Sequence, residues 1–380
     1  MARRTPAPFP VRFRNVTDVC HAVAIDVRKG MPSTRISREE FDRRMRSRLV
    51  DPAFDPLQDE IAKLIDAAWD GYSNARKAPQ TRKAVPGYAD PDYDLAADWI
   101  AARNAIDEAQ KRHDEPARVK RGLLINGSSR SDQTCPGEIS KTYRLCKIAE
   151  QALREQDAAV ELLDLSRLTS EVGRHIRPCK SCVSTSMALC HWPCSCYPNY
   201  SLQQTSDWMN EIYPMWVEAH GVMIITPVNW YQAPSGLKSM IDRLVCADGG
   251  NPDPTSTHGK TPKEAKALEL AGWPYPRHLA GRLFSVVVHG DSIGAESLRR
   301  NLSDWLTDMN LVSAGAMAEK KGGYIGYEKP YATSHHELDE NAAFQQDVRS
   351  AAITLARAIR LQTQDFYKQP DAALKPAIQK

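Results

Sequence analysis

The chain reads as an α/β protein: a doubly wound, five-stranded parallel sheet with an N-terminal helical extension. Three observations predict this. From about Val119, short apolar runs alternate with amphipathic helical stretches, the pattern of successive β–α units with right-handed crossovers. The first run, Leu123-Leu124-Ile125, ends in the small, hydroxyl-rich, basic turn Asn126-Gly127-Ser128-Ser129-Arg130, and Ser140-Lys141-Thr142 opens a helical pattern after it. Hydroxyls, backbone N–H groups and the positive helix end can there meet one phosphate-sized anion. Two later runs end in ligand-like loops, Thr226-Pro227-Val228-Asn229-Trp230-Tyr231 and His289-Gly290-Asp291. Three strand ends on one edge of a parallel sheet make a nucleotide or flavin site.

Each element follows in order. Residues 1–50 are rich in Arg and Pro and read as an arm, with a short helix over 39–48. The charged run from Asp42 to Arg48 reads as a solvated helix face. An amphipathic helix carries Leu57, Ile61, Leu64, Ile65, Ala68 and Tyr72 on one stripe. A polar, Pro-containing connection over 77–91 leads to a second helix with Leu95, Trp99, Ala102, Ile106 and Ala109. Neither helix can bury its apolar face alone. Residues 1–118 are therefore expected to dock on the main domain or on a partner subunit.

The main domain is expected over 119–365, with strands at 122–126, 158–163, 221–226, 283–289 and 311–317. Helices are expected near 139–155, 202–219, 235–247 and 295–309. A last helix over 338–361 turns Phe344, Val348, Ala352, Leu355 and Ile359 inward, and 366–380 is a tail. Two insertions interrupt the pattern. One is cysteine-rich, 170–200; the other, 248–281, is rich in Gly, Pro, Thr and Lys and is a candidate lid.

Composition narrows the function. A hydrophobic fraction of 42%, a charged fraction of 26% and a net charge of +3 describe an ordinary globular protein. A dedicated nucleic-acid binder would carry a strongly basic domain. An acidic carrier that docks by charge is also disfavoured. No apolar run approaches the roughly 18 residues of a membrane helix. No apolar core follows Arg3 and Arg4, so no export signal is read and a cytoplasmic location is expected. Five of the nine cysteines, Cys179, Cys182, Cys190, Cys194 and Cys196, fall within 18 residues. In a reducing compartment that clustering favours metal or redox chemistry over structural disulfides.

Residues 119–320 resemble the NADPH-dependent FMN reductase family of flavodoxin-like folds. The matching pieces are Asn126-Gly127-Ser128-Ser129-Arg130, then Thr226 to Tyr231, then Leu237-Lys238 and Ile241-Asp242-Arg243-Leu244 on the following helix. The cysteine segment resembles the cluster-binding insert of the iron–sulfur flavoproteins, a branch of that family. Cys179 and Cys182 have the expected gap; Thr185 stands at the next compact position, and Cys190, Cys194 and Cys196 follow.

The resemblance implies roles. Ser128, Arg130, Ser140, Lys141 and Thr142 would hold the FMN phosphate, with 131–139 lengthening the loop. Pro227, Val228, Asn229, Trp230 and Tyr231 would flank the isoalloxazine. His289, Gly290 and Asp291 would approach its pyrimidine side. The five cysteines would ligate a [4Fe–4S] cluster or, alternatively, zinc; four thiolates suffice for either, so one is spare. A dithiol pair or unligated thiols is the third reading. No side chain of the loops reads as an obligatory acid or nucleophile, as suits chemistry carried by a cofactor. Ser128 and Ser129 lack the flanks of a nucleophile elbow. A Walker A reading fails at Ser140, where Gly is required before Lys141.

The expected function is an FMN-dependent NAD(P)H oxidoreductase. It would pass electrons to a small-molecule acceptor: a quinone, a nitro or azo compound, or a metal ion. Two alternatives stay open: an iron–sulfur flavoprotein carrying electrons between protein partners, and a zinc-stabilised, non-enzymatic binding protein. A homodimer or homotetramer is expected, with neither nucleic acid nor membrane as a partner.

Overall fold

The structure, a computed structural model, describes residues 36–134, 139–290, 294–315, 319–321 and 336–363. The chain divides between Ile65 and Asp66 into two compact units. In the first, helix α1 (Arg38–Arg46) is capped by Ser37, whose hydroxyl accepts from Glu40 N at 3.2 Å. Its charges pair with one another, Glu40 accepting from Arg43 and Arg44, so this run does form a solvated face. Helix α2 (Gln58–Ser73) begins in this unit and runs into the next. Ile61 and Ile65 are buried, whereas Leu57 and Leu64 are 44% and 66% exposed. The buried stripe is narrower than the sequence suggests.

The second unit carries a hairpin: β1 (Thr81–Lys83) lies inside what reads as a polar connection, and β2 (Asp94–Ala96) falls where the second helix is expected to begin. Leu95 belongs to β2 rather than to a helix, and packs with Ala84 and Trp99. Helix α3 (Ala97–Asp114) then buries Trp99, Ala102, Ile106 and Ala109. Its far end is clamped through Glu218, which accepts from Arg112 at 2.9 Å and Arg118 at 3.1 Å.

The sheet is built from β3 (Arg121–Asn126), β4 (Ala159–Asp164), β5 (Gly221–Pro227), β6 (Leu283–His289) and β7 (Val312–Ser313). All pairings are parallel, in the spatial order β4-β3-β5-β6-β7. The edge position is split. Strand β7 pairs with Leu283 and Phe284, and β8 (Glu319–Lys321) pairs further along the same strand, with Val286 to Val288. Of the strand expected over 311–317 only Val312–Ser313 forms, and β8, beyond that range, shares its place in a five-position sheet.

Strand residues alternate between two apolar layers, as the two-residue repeat demands. Leu123, Ile125, Val222, Ile224, Phe284, Val286 and Val288 face one core. It is completed by α3, α6 (Met209–Glu218), α7 (Ser235–Arg243) and α9 (Ala295–Asp308). Leu124, Met223, Ile225, Leu283 and Val287 face the other, covered by α4 (Lys141–Arg154) and α11 (Ala342–Thr363). Leu338 of α10 (His336–Glu340) joins the second core, Leu168 of α5 (Arg167–Ser170) packs against the first, and α8 (Pro262–Leu270) packs in a separate small cluster with Ala188 and Leu189.

One polar knot crosses the first core. Arg243 at the end of α7 donates to both carboxylate oxygens of Asp207 and to Arg177 O, and its guanidinium lies 4.9 Å from the Tyr197 ring. Both side chains of the pair are 0% exposed. Breaking a buried pair strands a charge without water. Asp207→Ala is expected to cost about 3–5 kcal/mol in urea unfolding; a loss under about 1 kcal/mol would mean that water reaches the pair.

Burial holds histidines neutral, His191 well below its ordinary value among them. Burial pushes His220, His278 and His289 down from 6.5 to about 4 each. The unfolded chain binds these protons and the folded chain refuses them. Their contribution is therefore complete above pH 6.5 and is lost as pH falls towards 4, at about 1.4 kcal/mol per pH unit per histidine. The urea midpoint should drop markedly between about pH 7 and 5. A flat midpoint across that range would contradict neutral burial.

Candidate functional site

The first loop is organised by a residue that sequence reasoning passed over. Asn126, fully buried, donates to Asp164 Oδ1 at 2.7 Å and accepts from Ser128 N at 3.1 Å. Asp164 also accepts from Ser166 N at 3.0 Å. In the sequence Asn126 opens the motif that carries the family resemblance, without an assigned role. Gly127 is needed for closeness: a Cβ there would sit 2.7 Å from Thr226 Cβ. Ser128 Oγ accepts from Arg130 N at 3.1 Å, and Ser140 Oγ lies 3.5 Å from it. Ser140 is the N-cap of α4, accepting from Tyr143 N at 3.4 Å. Ser131 ties the lengthened loop back, its carbonyl accepting from Ser140 N at 3.0 Å. Ser128, Ser131, Ser140 and Thr142 are all buried.

Thr142 reaches across to the third strand. Its Oγ1 lies 2.8 Å from His289 Nε2. His289 is held neutral by burial, reinforced by the charge of Lys141. With the proton on Nε2, the imidazole donates to Thr142 and leaves the threonine O–H free to donate elsewhere. Ser128, Ser140, Thr142 and His289 are therefore brought together at the mouth of α4. Lys141 and Arg130 flank them in sequence.

The second loop continues the sheet before it turns. Pro227 is paired with His289, and Val228 N donates to His289 O at 2.9 Å. Gly290, at φ +145°, lies so near that a Cβ would meet Val228 Cγ1 at 2.8 Å. Asn229 and Gln232 exchange two 2.9 Å backbone bonds around Trp230 and Tyr231. Those two residues have φ of +46° and +67°, the geometry of a turn that favours Asn-Gly. Trp230 is 92% exposed and Tyr231 54%. Two aromatic rings are thus held in left-handed backbone with most of Trp230 in solvent, a combination that folding alone does not reward. Asp291 lies outside the described residues.

The cysteines separate. Cys190, Cys194 and Cys196 are buried; Cys179 and Cys182 are half-buried. Cys179 Sγ accepts from Ser181 N at 3.3 Å. Cys182 and Cys196 bring their sulfurs within 3.5 Å, and Lys260 donates to Cys182 Sγ at 3.1 Å and to Leu189 O at 2.9 Å. The hydrogen bond from Cys196, with the Lys260 ammonium, brings the Cys182 thiol down to about 6 against the opposing effect of burial. Burial pushes Cys190 well up. His191 is engaged with Ser195 at 2.6 Å rather than with a sulfur. Among the described residues, no three Cys, His, Asp or Glu side chains converge as metal ligands.

The second insertion packs on the first. Trp192 N donates to Asn251 O at 2.8 Å, Asn251 N to Cys190 O at 2.6 Å, and Ser186 Oγ to Ala265 O at 3.1 Å. No described helix is long and apolar enough to cross a membrane.

Fold and geometry define a class: an α/β protein with a cluster of buried hydroxyls and an aromatic turn at the carboxyl edge of a parallel sheet. Residues 121–322, just over half of the chain, match the NADPH-dependent FMN reductase family. The chain belongs to that family, whose members are flavin oxidoreductases. Its fold is flavodoxin-like. Among solved structures it is similar to RosB with the bound intermediate 8-demethyl-8-formylriboflavin-5'-phosphate. Identity there is 14% and the TM-score 0.46, covering 69% of this chain and 95% of that one. It is also similar to a flavone reductase, with 17% identity, a TM-score of 0.37, and coverage of 65% and 66%. A third is an FMN-dependent NADH-azoreductase from Bacillus anthracis str. Ames Ancestor in complex with FMN. Its values are 16%, 0.34, and coverage of 62% and 100%. No curated protein matches the chain by sequence.

The strained turn gives a test. Replacing Trp230 with Asn and Tyr231 with Gly should relieve about 1–3 kcal/mol of backbone strain and raise the melting temperature of the FMN-free protein. The same variant should bind flavin more weakly. An unchanged or lower melting temperature would show that the aromatic turn is not a cost to the fold.

Proposed function

We propose that the protein is an FMN-dependent NAD(P)H oxidoreductase that reduces a quinone, a nitro or azo compound, or a metal ion. The observation that carries this is the cradle at the start of α4, where the buried hydroxyls of Ser128, Ser140 and Thr142 gather beside His289. A 14-residue helix directs its first N–H groups and positive end at that point. The donor set suits a phosphate monoester: neutral hydroxyls and a helix end, with Arg130 and Lys141 supplying charge. FMN, when bound, accepts a hydride at its ring and returns electrons to an acceptor.

The chain's own residues bind and orient. Ser128 and Ser140 place donors on the cradle floor. His289 fixes the Thr142 hydroxyl so that its proton points away from the imidazole. Trp230 and Tyr231 offer aromatic faces beside the strand ends, and Gly290 permits close approach of backbone. No side chain here need gain or lose a proton for a hydride to move.

Titration of FMN-free protein, followed by quenching of flavin fluorescence, tests the reading. Thr142→Val and Arg130→Ala should each weaken FMN binding by about 1.5–3 kcal/mol. NADPH and NADH oxidation with menadione or an azo dye should then require FMN. Protein that takes up no FMN would end the proposal.

A further inference from the structure

The first loop leans on β4, a strand that carries no ligand loop of its own. Asp164 closes β4 and stands beside Asn126 in the parallel register. Paired residues of neighbouring strands share a face, so the two side chains meet. Backbone bonds pin the start of the loop from both sides. Leu165 N donates to Asn126 O at 3.2 Å, and Gly127 N donates to Ile225 O at 2.8 Å. Beyond that point the buried Asn126 amide holds the turn. Its Oδ1 accepts from Ser128 N at 3.1 Å, and its Nδ2 donates to Arg130 O at 3.3 Å.

We propose that Asp164 is a positioning residue for the flavin phosphate: it sets which way the Asn126 amide faces, and through that amide the shape of the loop that carries Ser128 and Arg130. The inference rests on the FMN reading of this site. The two ends of an amide have nearly the same shape and opposite chemistry. A carboxylate only accepts. Asp164 Oδ1, 2.7 Å from Asn126 Nδ2, therefore demands the NH2 end, and the oxygen is left for Ser128 N. Turned over, the amide would set its oxygen against Asp164 and Arg130 O, and its NH2 against the Ser128 N–H. Each of these contacts would be mismatched at a side chain without access to water.

Asp164 is itself held in place. The oxygen that faces Asn126 also accepts from Ser166 N at 3.0 Å, and Ser166 is fully buried. An acid near a phosphate repels it rather than binding it. The value of Asp164 thus lies in what it does to Asn126, and no contact with the ligand is required.

Full-length protein stripped of flavin is titrated with FMN by fluorescence quenching, and with riboflavin, which lacks the phosphate. Asp164→Ala should weaken FMN binding by about tenfold or more, the worth of a hydrogen bond to a charged group, and leave riboflavin binding unchanged. Asp164→Asn keeps an oxygen that can accept from both partners, and should bind FMN within about threefold of wild type. Asp164→Leu, of similar bulk without an acceptor, should be as weak as Asp164→Ala. In an Asn126→Ala background, Asp164→Ala should cost nothing further, because its effect passes through the amide. If Asn126→Ala folds poorly, the comparison of the Asn and Leu variants decides. Wild-type FMN affinity in Asp164→Ala, an Asn variant no better than the Leu variant, additive losses, or an equal loss of riboflavin would each overturn the proposal. Wild-type protein that binds no FMN would instead end the flavin reading on which it rests.

Discussion

The ion pair of Arg243 and Asp207 is the interaction on which the arrangement of the molecule turns. Both side chains are withdrawn from water, so each needs the other, and neither can move without stranding a charge. Arg243 closes α7, the helix after the second ligand loop. Asp207 stands just ahead of α6, the helix that leads into β5. The remaining guanidinium contacts, to Arg177 O and the Tyr197 ring, grip the cysteine segment at both ends. One pair thus ties the cysteine-rich insertion, at Arg177 and Tyr197, to α7. It also explains why α6 starts later than its apolar pattern suggests: Asp207 is drawn into the core before the helix begins.

The ligand edge is governed by a different economy. Asn126, Gly127 and Gly290 let three strand ends approach within contact distance, and the buried amide of Asn126 takes up the hydrogen bonds that so tight a loop would leave unmade. Hydroxyls then converge without any charged group buried among them. That suits a ligand bringing its own negative charge. The aromatic turn differs: Trp230 and Tyr231 are held in left-handed backbone, and the Trp230 ring is exposed.

The two insertions belong together. Backbone bonds between Trp192 and Asn251 and between Asn251 and Cys190 join them, and Lys260 reaches from one to the sulfur of the other. The basic group that distinguishes Cys182 from its neighbours comes from seventy-eight residues away in the chain. Spacing alone pairs Cys179 with Cys182; packing brings Cys196 against Cys182.

Local patterning was enough to read the parallel sheet and its succession of β–α units, because strand alternation and helix periodicity report burial directly. Phe344, Val348, Ala352, Leu355 and Ile359 are all buried as their spacing requires. What the sequence could not determine depends on groups distant in the chain. Leu95 reads as helical from its neighbours but is held in a hairpin by pairing with Arg82. The edge strand is divided because both pieces find places on β6. Asn126 became a site residue only through Asp164, and Thr142 gained its orientation only from His289. Each of these rests on hydrogen bonds or charge across tens of residues, and periodicity carries no information about such partners.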